Sequence, residues 1–526
     1  MNQRRRGGLT GTRARSCAIR ASVFGCALAV CGNVGSWPCQ ALAQARTGPR
    51  GESLATRLAV LLREAKLGGQ VGVAVASVSN GRMLFEHRAE LPLNPASNMK
   101  LVTAAAVLEE LGPSFRIRTG LYGRNKNDAV VGGLYLKSYG DPTLRVADIA
   151  HLAGQIVGSG VRTVDEVRVD GSYFDSITLP PAFEQQPDEA AAFRAPIAAV
   201  SVERNSYALR VSPGRSAGDP AQVKLKIADY FELRNELTTG STGSLSVIAI
   251  QQPKADKLSL LVRGRVPLRL SNASFRRRVA HPLRYAGHAL IQSLRAQRVR
   301  VPQRIVLRPL PTDLPLLATR LSPPLGQILW AMGKQSDNFT AEMLLKLLGA
   351  ERKRLPGRSQ DGASVLVAFL EQIGVPKGRA TIVNGSGLFR GNKLAARDLV
   401  RLLLYVYGSP ALRAEYLAHL AVGGKDGTLA RRLQGLPADA IVRAKTGTLN
   451  DVIALSGYVL GSSPSRTIAF SFLANGVNGR RQQARDLADR LVAAMASELD
   501  PSANAAARTQ EEGRPVSSGR DSPVAR

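Results

Sequence analysis

Cysteine is missing from most of this chain. All four (Cys17, Cys26, Cys31 and Cys39) lie in the first 39 of its 526 residues. The remainder therefore has no disulfide, no thiolate metal site and no cysteine nucleophile, a composition that suits an oxidising compartment. Aromatic residues are scarce, at 5%. Neither zinc-finger spacing nor the aromatic signatures of RNA recognition occur, so no nucleic-acid partner is expected. Acid is short relative to base: 40 Asp and Glu against 71 Lys and Arg give a formal net charge of +31. A surface so basic is either simply solvated or drawn to anionic material such as a wall polymer or a membrane surface. No stretch after the first 40 residues is apolar enough to span a bilayer, so at most peripheral membrane contact is expected.

What is present first reads as an export signal. Residues 1–20 hold six arginines and no acid, and residues 21–37 are mostly apolar and small. Ala41-Leu42-Ala43 and Ala43-Gln44-Ala45 then offer the small residues that a signal peptidase requires. A permanent anchor fits less well, because Gly32, Gly35 and Pro38 break the apolar run. Cleavage near residue 45 would leave a periplasmic protein with a net charge of about +25.

Periodicity divides the rest. Residues 53–66 have helical apolar spacing, and VGVAVASVSNGRMLFEH predicts two strands around a Ser79-Asn80-Gly81 turn. Asn94-Pro95 breaks the chain, and SNMKLVTAAAVLEELG begins a helix that ends at Gly112. Short β-like runs and turn residues fill 115–305, with a helix over 283–299. Helical patterns return after about 310, followed by strands at AIVRAKTGTL, VIALSGYVLG and RTIAFSFLAN and a helix over 484–499. Residues 500–526 are rich in Pro, Ser, Ala, Arg and Gly and predict a disordered tail. The order implies one α/β domain in two parts, 46–114 and 306–499, split by a β-rich insertion over 115–305.

Three short motifs carry chemistry. In Ser97-Asn98-Met99-Lys100, a helix start sets positions i and i+3 on one face, so hydroxyl and amine can touch. A serine needs a base to become a nucleophile, and a lysine depressed by burial or by a second cation can serve. Alone, the motif is no more than a helix start followed by a surface lysine. Ser336-Asp337-Asn338 lies between two helix patterns, where a second hydroxyl could relay a proton and an asparagine could hold an amide; alone it is an N-cap. Lys445-Thr446-Gly447-Thr448 falls inside a strand, where glycine weakens the strand unless something must approach closely. A peptide could lie along that strand by addition to the sheet; alone it is an exposed edge. The ordered set S-x-x-K, S-x-N, K-T-G-T, each in a fitting local setting, is a far stronger signal than any member.

The set resembles the penicillin-binding and serine β-lactamase superfamily, whose fold is a transpeptidase-like domain of antiparallel sheet flanked by helices. A separation of 239 residues between Ser97 and Ser336 is similar to the class C low-molecular-mass penicillin-binding proteins. These are D-alanyl-D-alanine carboxypeptidases that are also endopeptidases, with an insertion of one or two small domains. Further segments match that family: Gly140-Asp141-Pro142-Thr143-Leu144, Asp170-Gly171-Ser172-Tyr173-Phe174, Asn384-Gly385-Ser386-Gly387-Leu388 with Arg390, and Asp426-Gly427-Thr428-Leu429. The resemblance implies peptidoglycan stem peptides and β-lactam antibiotics as partners and no cofactor or metal. It implies Ser97 as nucleophile and Lys100 as its base. Ser336 and Lys445 deliver a proton to the leaving group, Lys445 keeps Lys100 neutral, and Asn338 binds the peptide. Thr446 and Thr448 hold the terminal carboxylate beside Gly447, and the N–H groups of Ser97 and Thr448 form an oxyanion hole. By position, Asp188, Phe193, Arg390 and Asn450 would read the side chain of the substrate's diamino acid; the family pattern has Gln at the last of these.

Three other readings compete. Gly214-Arg215-Ser216-Ala217-Gly218 matches the α/β-hydrolase G-x-S-x-G, which needs a strand before it and a helix after it; Pro213 and Asp219-Pro220 oppose both. The five histidines show no triad context. A β-lactamase would share the acylation residues, but the long insertion counts against it. A basic wall-binding protein with degenerate motifs is opposed by the intact motif residues.

Overall fold

The computed structural model describes residues 52–186 and 189–499; the expected export signal, the tail and Asp188 lie outside them. Ser53 caps α1 (Leu54–Ala65) by accepting from the Thr56 N–H. β1 (Gln70–Ser77) and β2 (Met83–His87) form the hairpin, with Gly81 at φ 70° in the turn. α2 (Met99–Leu111) stops where Gly112 takes φ 79°. Every residue from Met99 to Leu108 is buried, so α2 is a core helix with no solvent face, as its Val-Thr-Ala-Ala-Ala-Val-Leu run suggests.

The insertion builds three sheets of its own. β3 (Arg118–Lys126), β4 (Ala129–Ser138), α3 (Val146–Gly158), β5 (Thr163–Val164) and β6 (Val167–Asp170) begin a mixed sheet. β7 (Ser206–Ser212), β8 (Gln222–Lys224), β9 (Phe231–Gly240), β10 (Ser246–Pro253), β11 (Leu258–Pro267) and β12 (Ala273–Arg278) form two three-stranded sheets, ordered β12-β7-β8 and β10-β11-β9. α4 (Pro282–Ala296) follows, then β13 (Ile305–Leu307) and β14 (Leu316–Leu321), which complete the order β13-β6-β4-β3-β14. One apolar cluster joins these sheets with α3 and α4. The insertion therefore runs beyond residue 305, since β14 pairs antiparallel with β3. Pro309, Pro311 and Pro315 read as a break and hide that returning strand in the sequence. The Gly214–Gly218 segment connects β7 to β8. With no helix after it, it is no nucleophile elbow.

α5 (Leu325–Lys334), α6 (Asn338–Arg352), α7 (Ser359–Gln372), α8 (Ala396–Gly408) and α9 (Pro410–His419) come next. β15 (Ala421–Val422), β16 (Ile441–Thr448), β17 (Val452–Leu460), β18 (Thr467–Asn475) and α10 (Arg481–Glu498) end the described chain. The main sheet has the order β15-β16-β17-β18-β1-β2 and is antiparallel throughout. β1 pairs with β18 over eight residues, so segments from both ends of the chain close one sheet around the insertion. One cluster covers it with α2 and the helices that follow the insertion, another with α1 and α10. β17 and β18 are buried along nearly their whole length, which is why they read as continuous apolar runs. Each large apolar side chain so buried contributes about 1.5–3 kcal/mol, so a charge at Leu455 or Leu473 would break the sheet beside the β1 junction.

Candidate active site

Ser97 occupies a single 3₁₀ turn, Ala96–Asn98, that leads into α2. The turn is strained: Ala96 sits at φ 46°, with its N–H bound to Asn94 Oδ1 at 2.9 Å. Two glycines are packed against it. A Cβ on Gly387 would meet the Ala96 carbonyl oxygen at 1.8 Å, and one on Gly447 would meet Pro95 O and Ala96 Cβ at 3.1 Å. The glycine of K-T-G is thus explained by close approach: β16 lies against the turn that carries Ser97. Asn98, the first variable position of S-x-x-K, is buried. With its amide oriented to suit its neighbours, it donates to the Lys445 carbonyl at 2.8 Å and accepts from Ser456 Oγ at 2.6 Å. It thereby ties the start of α2 to β16 and β17.

Lys100 is fully buried. Its Nζ lies 3.1 Å from Ser97 Oγ, 2.7 Å from Asn338 Oδ1 and 2.6 Å from the Ser386 carbonyl oxygen. Burial lowers its pKa to about 7, while the charges of Glu342 and Asp337 pull it back up. Three contacts suit both protonation states. An ammonium donates to all three oxygens. A neutral amine donates to Asn338 and Ser386 and turns its lone pair to the Ser97 hydroxyl. A proton can therefore move from Ser97 to Lys100 with little rearrangement.

The Ser386 carbonyl is placed by Glu342, a fully buried carboxylate on α6. Glu342 accepts from the Ser386 N–H at 2.7 Å and from the Gly385 N–H at 3.3 Å. Burial pushes its pKa up, against those hydrogen bonds and the Lys100 amine, which hold it down.

The second serine–lysine pair faces the first. Lys445 Nζ donates to Ser336 Oγ at 2.8 Å and to the Thr446 carbonyl at 2.9 Å. Burial depresses this lysine strongly, and the neighbouring Lys100 adds to the effect. For Lys100 itself burial is the leading cause, opposed by the charges of Glu342 and Asp337. Ser336 takes φ 57°, a left-handed conformation unusual for serine and of the kind found at functional sites. Asp337, not Ser336, caps α6 through Thr340, which leaves the Ser336 hydroxyl free for Lys445. Thr446 Oγ1 donates to Thr428 Oγ1 at 2.8 Å, and Thr448 at the end of β16 is exposed. The side chains of Ser97, Lys100, Ser336, Asn338, Lys445 and Thr446 thus converge from the 3₁₀ turn and α2, the α5–α6 loop and the start of α6, and β16.

The expected specificity residues lie at the rim. Phe193 is 45% exposed, and its carbonyl accepts from Asn338 Nδ2 at 3.4 Å. Arg390 is exposed and pairs with Asp451 at 3.1 Å, next to the exposed Asn450.

Residues 54–497 match the D-Ala-D-Ala carboxypeptidase 3 (S13) family. The chain belongs to that family. It is a hydrolase, and its transpeptidase-like α/β fold is the one the motifs imply. It is 34% identical over 498 residues to a D-alanyl-D-alanine carboxypeptidase of Actinomadura sp. (strain R39), a match covering 91% of this chain and 90% of that one. To the D-alanyl-D-alanine carboxypeptidase DacB of Haemophilus influenzae it is 24% identical over 420 residues, covering 78% and 86%. The crystal structure of penicillin binding protein 4 (dacB) from Haemophilus influenzae matches in fold with a TM-score of 0.69 at 22% identity. That match covers 82% of this chain and 99% of that one.

Sequence reasoning missed several members of this S13 site. Glu342 lies four residues after Asn338 in the same helix, but a buried carboxylate has no signature of its own. The Ser386 carbonyl is a backbone atom and leaves no trace in residue type. Thr428 and Ser386 do fall in the segments that match the family, which was the available signal.

Proposed function

We propose that this protein is a D-Ala-D-Ala carboxypeptidase that works through an acyl-enzyme on Ser97 and is acylated by β-lactams at the same atom. The observation that carries the reading is the Lys100 amine: buried, lowered to about 7 and within 3.1 Å of Ser97 Oγ. Ser97 Oγ attacks the carbonyl carbon of the penultimate D-alanine as Lys100 takes its proton. The N–H groups of Ser97 and Thr448 receive the developing oxyanion. Collapse of the tetrahedral intermediate breaks the peptide C–N bond, and Ser336 with Lys445 supplies the proton to the departing amine. Water, deprotonated at the same centre, then cleaves the ester and restores Ser97. Asn338 holds the peptide while Thr446 and Thr448, beside Gly447, bind the terminal carboxylate. Arg390, Phe193, Asn450 and Asp188 select the side chain of the diamino acid.

The reading extends to crosslinked stem peptides as a D,D-endopeptidase substrate and to a periplasmic protein released by cleavage near residue 45. The Haemophilus influenzae protein has also been solved complexed with a β-lactam, which supports the drug as a ligand here. The test is labelled penicillin with the wild type and Ser97→Ala. Stable label on the wild type alone is expected; label on neither would remove Ser97 as nucleophile, and rapid drug turnover would favour a β-lactamase. Purified linear and crosslinked muropeptides then separate carboxypeptidase from endopeptidase activity.

A further inference from the structure

The sheet β12-β7-β8 has two unlike faces. Tyr207, Leu209 and Val211 of β7 enter the core of the insertion. Alternate residues point the other way: Ser206, Ala208, Arg210 and Ser212. The antiparallel register sets Ser274 of β12 and Lys224 of β8 opposite Arg210, and Arg276 of β12 opposite Ala208. Two hollows of about 290 and about 350 Å³ lie on this face and share Arg210 and Lys224 as a common wall. The first adds Arg276 and Lys226; the second adds Ser212, Ser271, Asn272 and Ser274.

A merely solvated face mixes charges of both signs, and this one does not. The single carboxylate in either lining is Glu203. It is already engaged by Lys226 at 2.6 Å and by the Val146 N–H at 3.2 Å. Arg210, Lys224 and Arg276 are exposed, and the guanidinium of Arg276 donates to the hydroxyl of Ser206 at 2.9 Å. Cations of one sign held together by a sheet repel one another, and a bound anion relieves that repulsion. Two hollows that share a wall suit a chain better than a single small ion, and the hydroxyls lining the second offer neutral hydrogen bonds.

One end of the face adjoins the catalytic cleft. β7 begins just after Arg204, whose Nε lies 3.6 Å from Asp337. β12 ends at Arg278, whose N–H donates to the Ala190 carbonyl at 2.9 Å, and the segment from Ala190 leads directly to Phe193 and its contact with Asn338.

We propose that this face is a binding site for an anionic polymer, a hydroxyl-bearing chain with repeated carboxylate or phosphate groups. The inference does not depend on the reaction at Ser97. The test measures binding of polygalacturonate, inorganic polyphosphate and inorganic phosphate to the whole protein between about 50 and about 200 mM salt. Three proteins are compared: wild type, the triple variant Arg210→Gln/Lys224→Gln/Arg276→Gln, and a control triple variant at the exposed Lys126, Lys353 and Lys377, each changed to Gln. The site variant is expected to lose about tenfold or more in affinity for at least one polymer, with a salt slope lower by about 2–3. The control loses less than about threefold, and monomeric phosphate binds far more weakly than either polymer. The polymer that loses more identifies the charged group recognised. Equal losses in the two triple variants would assign the binding to net charge and overturn the site, as would a wild type that binds neither polymer. Unchanged penicillin labelling at Ser97 in both variants shows that they fold.

Discussion

Two groups of cations in this molecule live under opposite rules. Lys100 and Lys445 are fully buried among a carbonyl, an amide and hydroxyls, and burial drives both pKa values down. Arg210, Lys224 and Arg276 stand in water on the outer face of the insertion. The same kind of group is a base in one place and an electrostatic handle in the other. Lys346 isolates the variable. It too is buried, and burial lowers its pKa as well, but it pairs with Asp175 at 2.5 Å, which pulls the pKa back up, and donates to the Ile177 carbonyl at 2.6 Å. The carboxylate partner makes Lys346 a cross-link between α6 and the insertion, whereas Lys100 and Lys445 donate to neutral oxygens.

The largest expected effect comes from Lys100→Arg, which keeps the charge and removes the base. Arginine cannot be deprotonated at working pH, so the second-order rate of penicillin acylation should fall by about 10³-fold. A rate within tenfold of wild type would place the proton acceptor elsewhere. The pH profile sharpens the same contrast. Ser97 needs a neutral Lys100, and protonation below about 7 removes it. Acylation should therefore fall about tenfold per pH unit on the acid side and level off above. Because the charge of Glu342 raises the Lys100 pKa, Glu342→Gln should move that acid limb to lower pH. It should also cost about 1–3 kcal/mol of stability by weakening the contacts to the Gly385 and Ser386 N–H groups. Loss of melting temperature with an unmoved profile would leave Glu342 a structural role only. The smallest effect belongs to the outer face: Lys224→Arg conserves charge where only charge matters, so polymer binding should stay within about twofold and acylation should not change.

Much of the site could be read from the chain because its signals are local. Gly112 ends α2, the strand pattern brackets Lys445–Thr448, and Ser97 and Lys100 share a face by helix geometry alone. The extent of the insertion was less legible. Prolines between Pro309 and Pro315 disguise β14, and strand pairing with β3 is a long-range fact. Burial was offered alongside a second cation as the cause of a depressed Lys100; the folded environment ranks burial first. Glu342 and the Ser386 carbonyl were invisible, since neither a helix-interior carboxylate nor a backbone oxygen announces its target.

By itself, then, the sequence determined the three motifs, their order and the local element that holds each one, because caps, periodicity and i,i+3 spacing act over a few residues. Only the tertiary structure decided that Lys100 would meet Asn338 across the whole insertion, that Lys100 and Lys445 would lose their water, and that the cations of β7, β8 and β12 would share one face. Protonation state and electric field depend on everything within several ångströms, and in this fold most of that surrounding comes from distant parts of the chain.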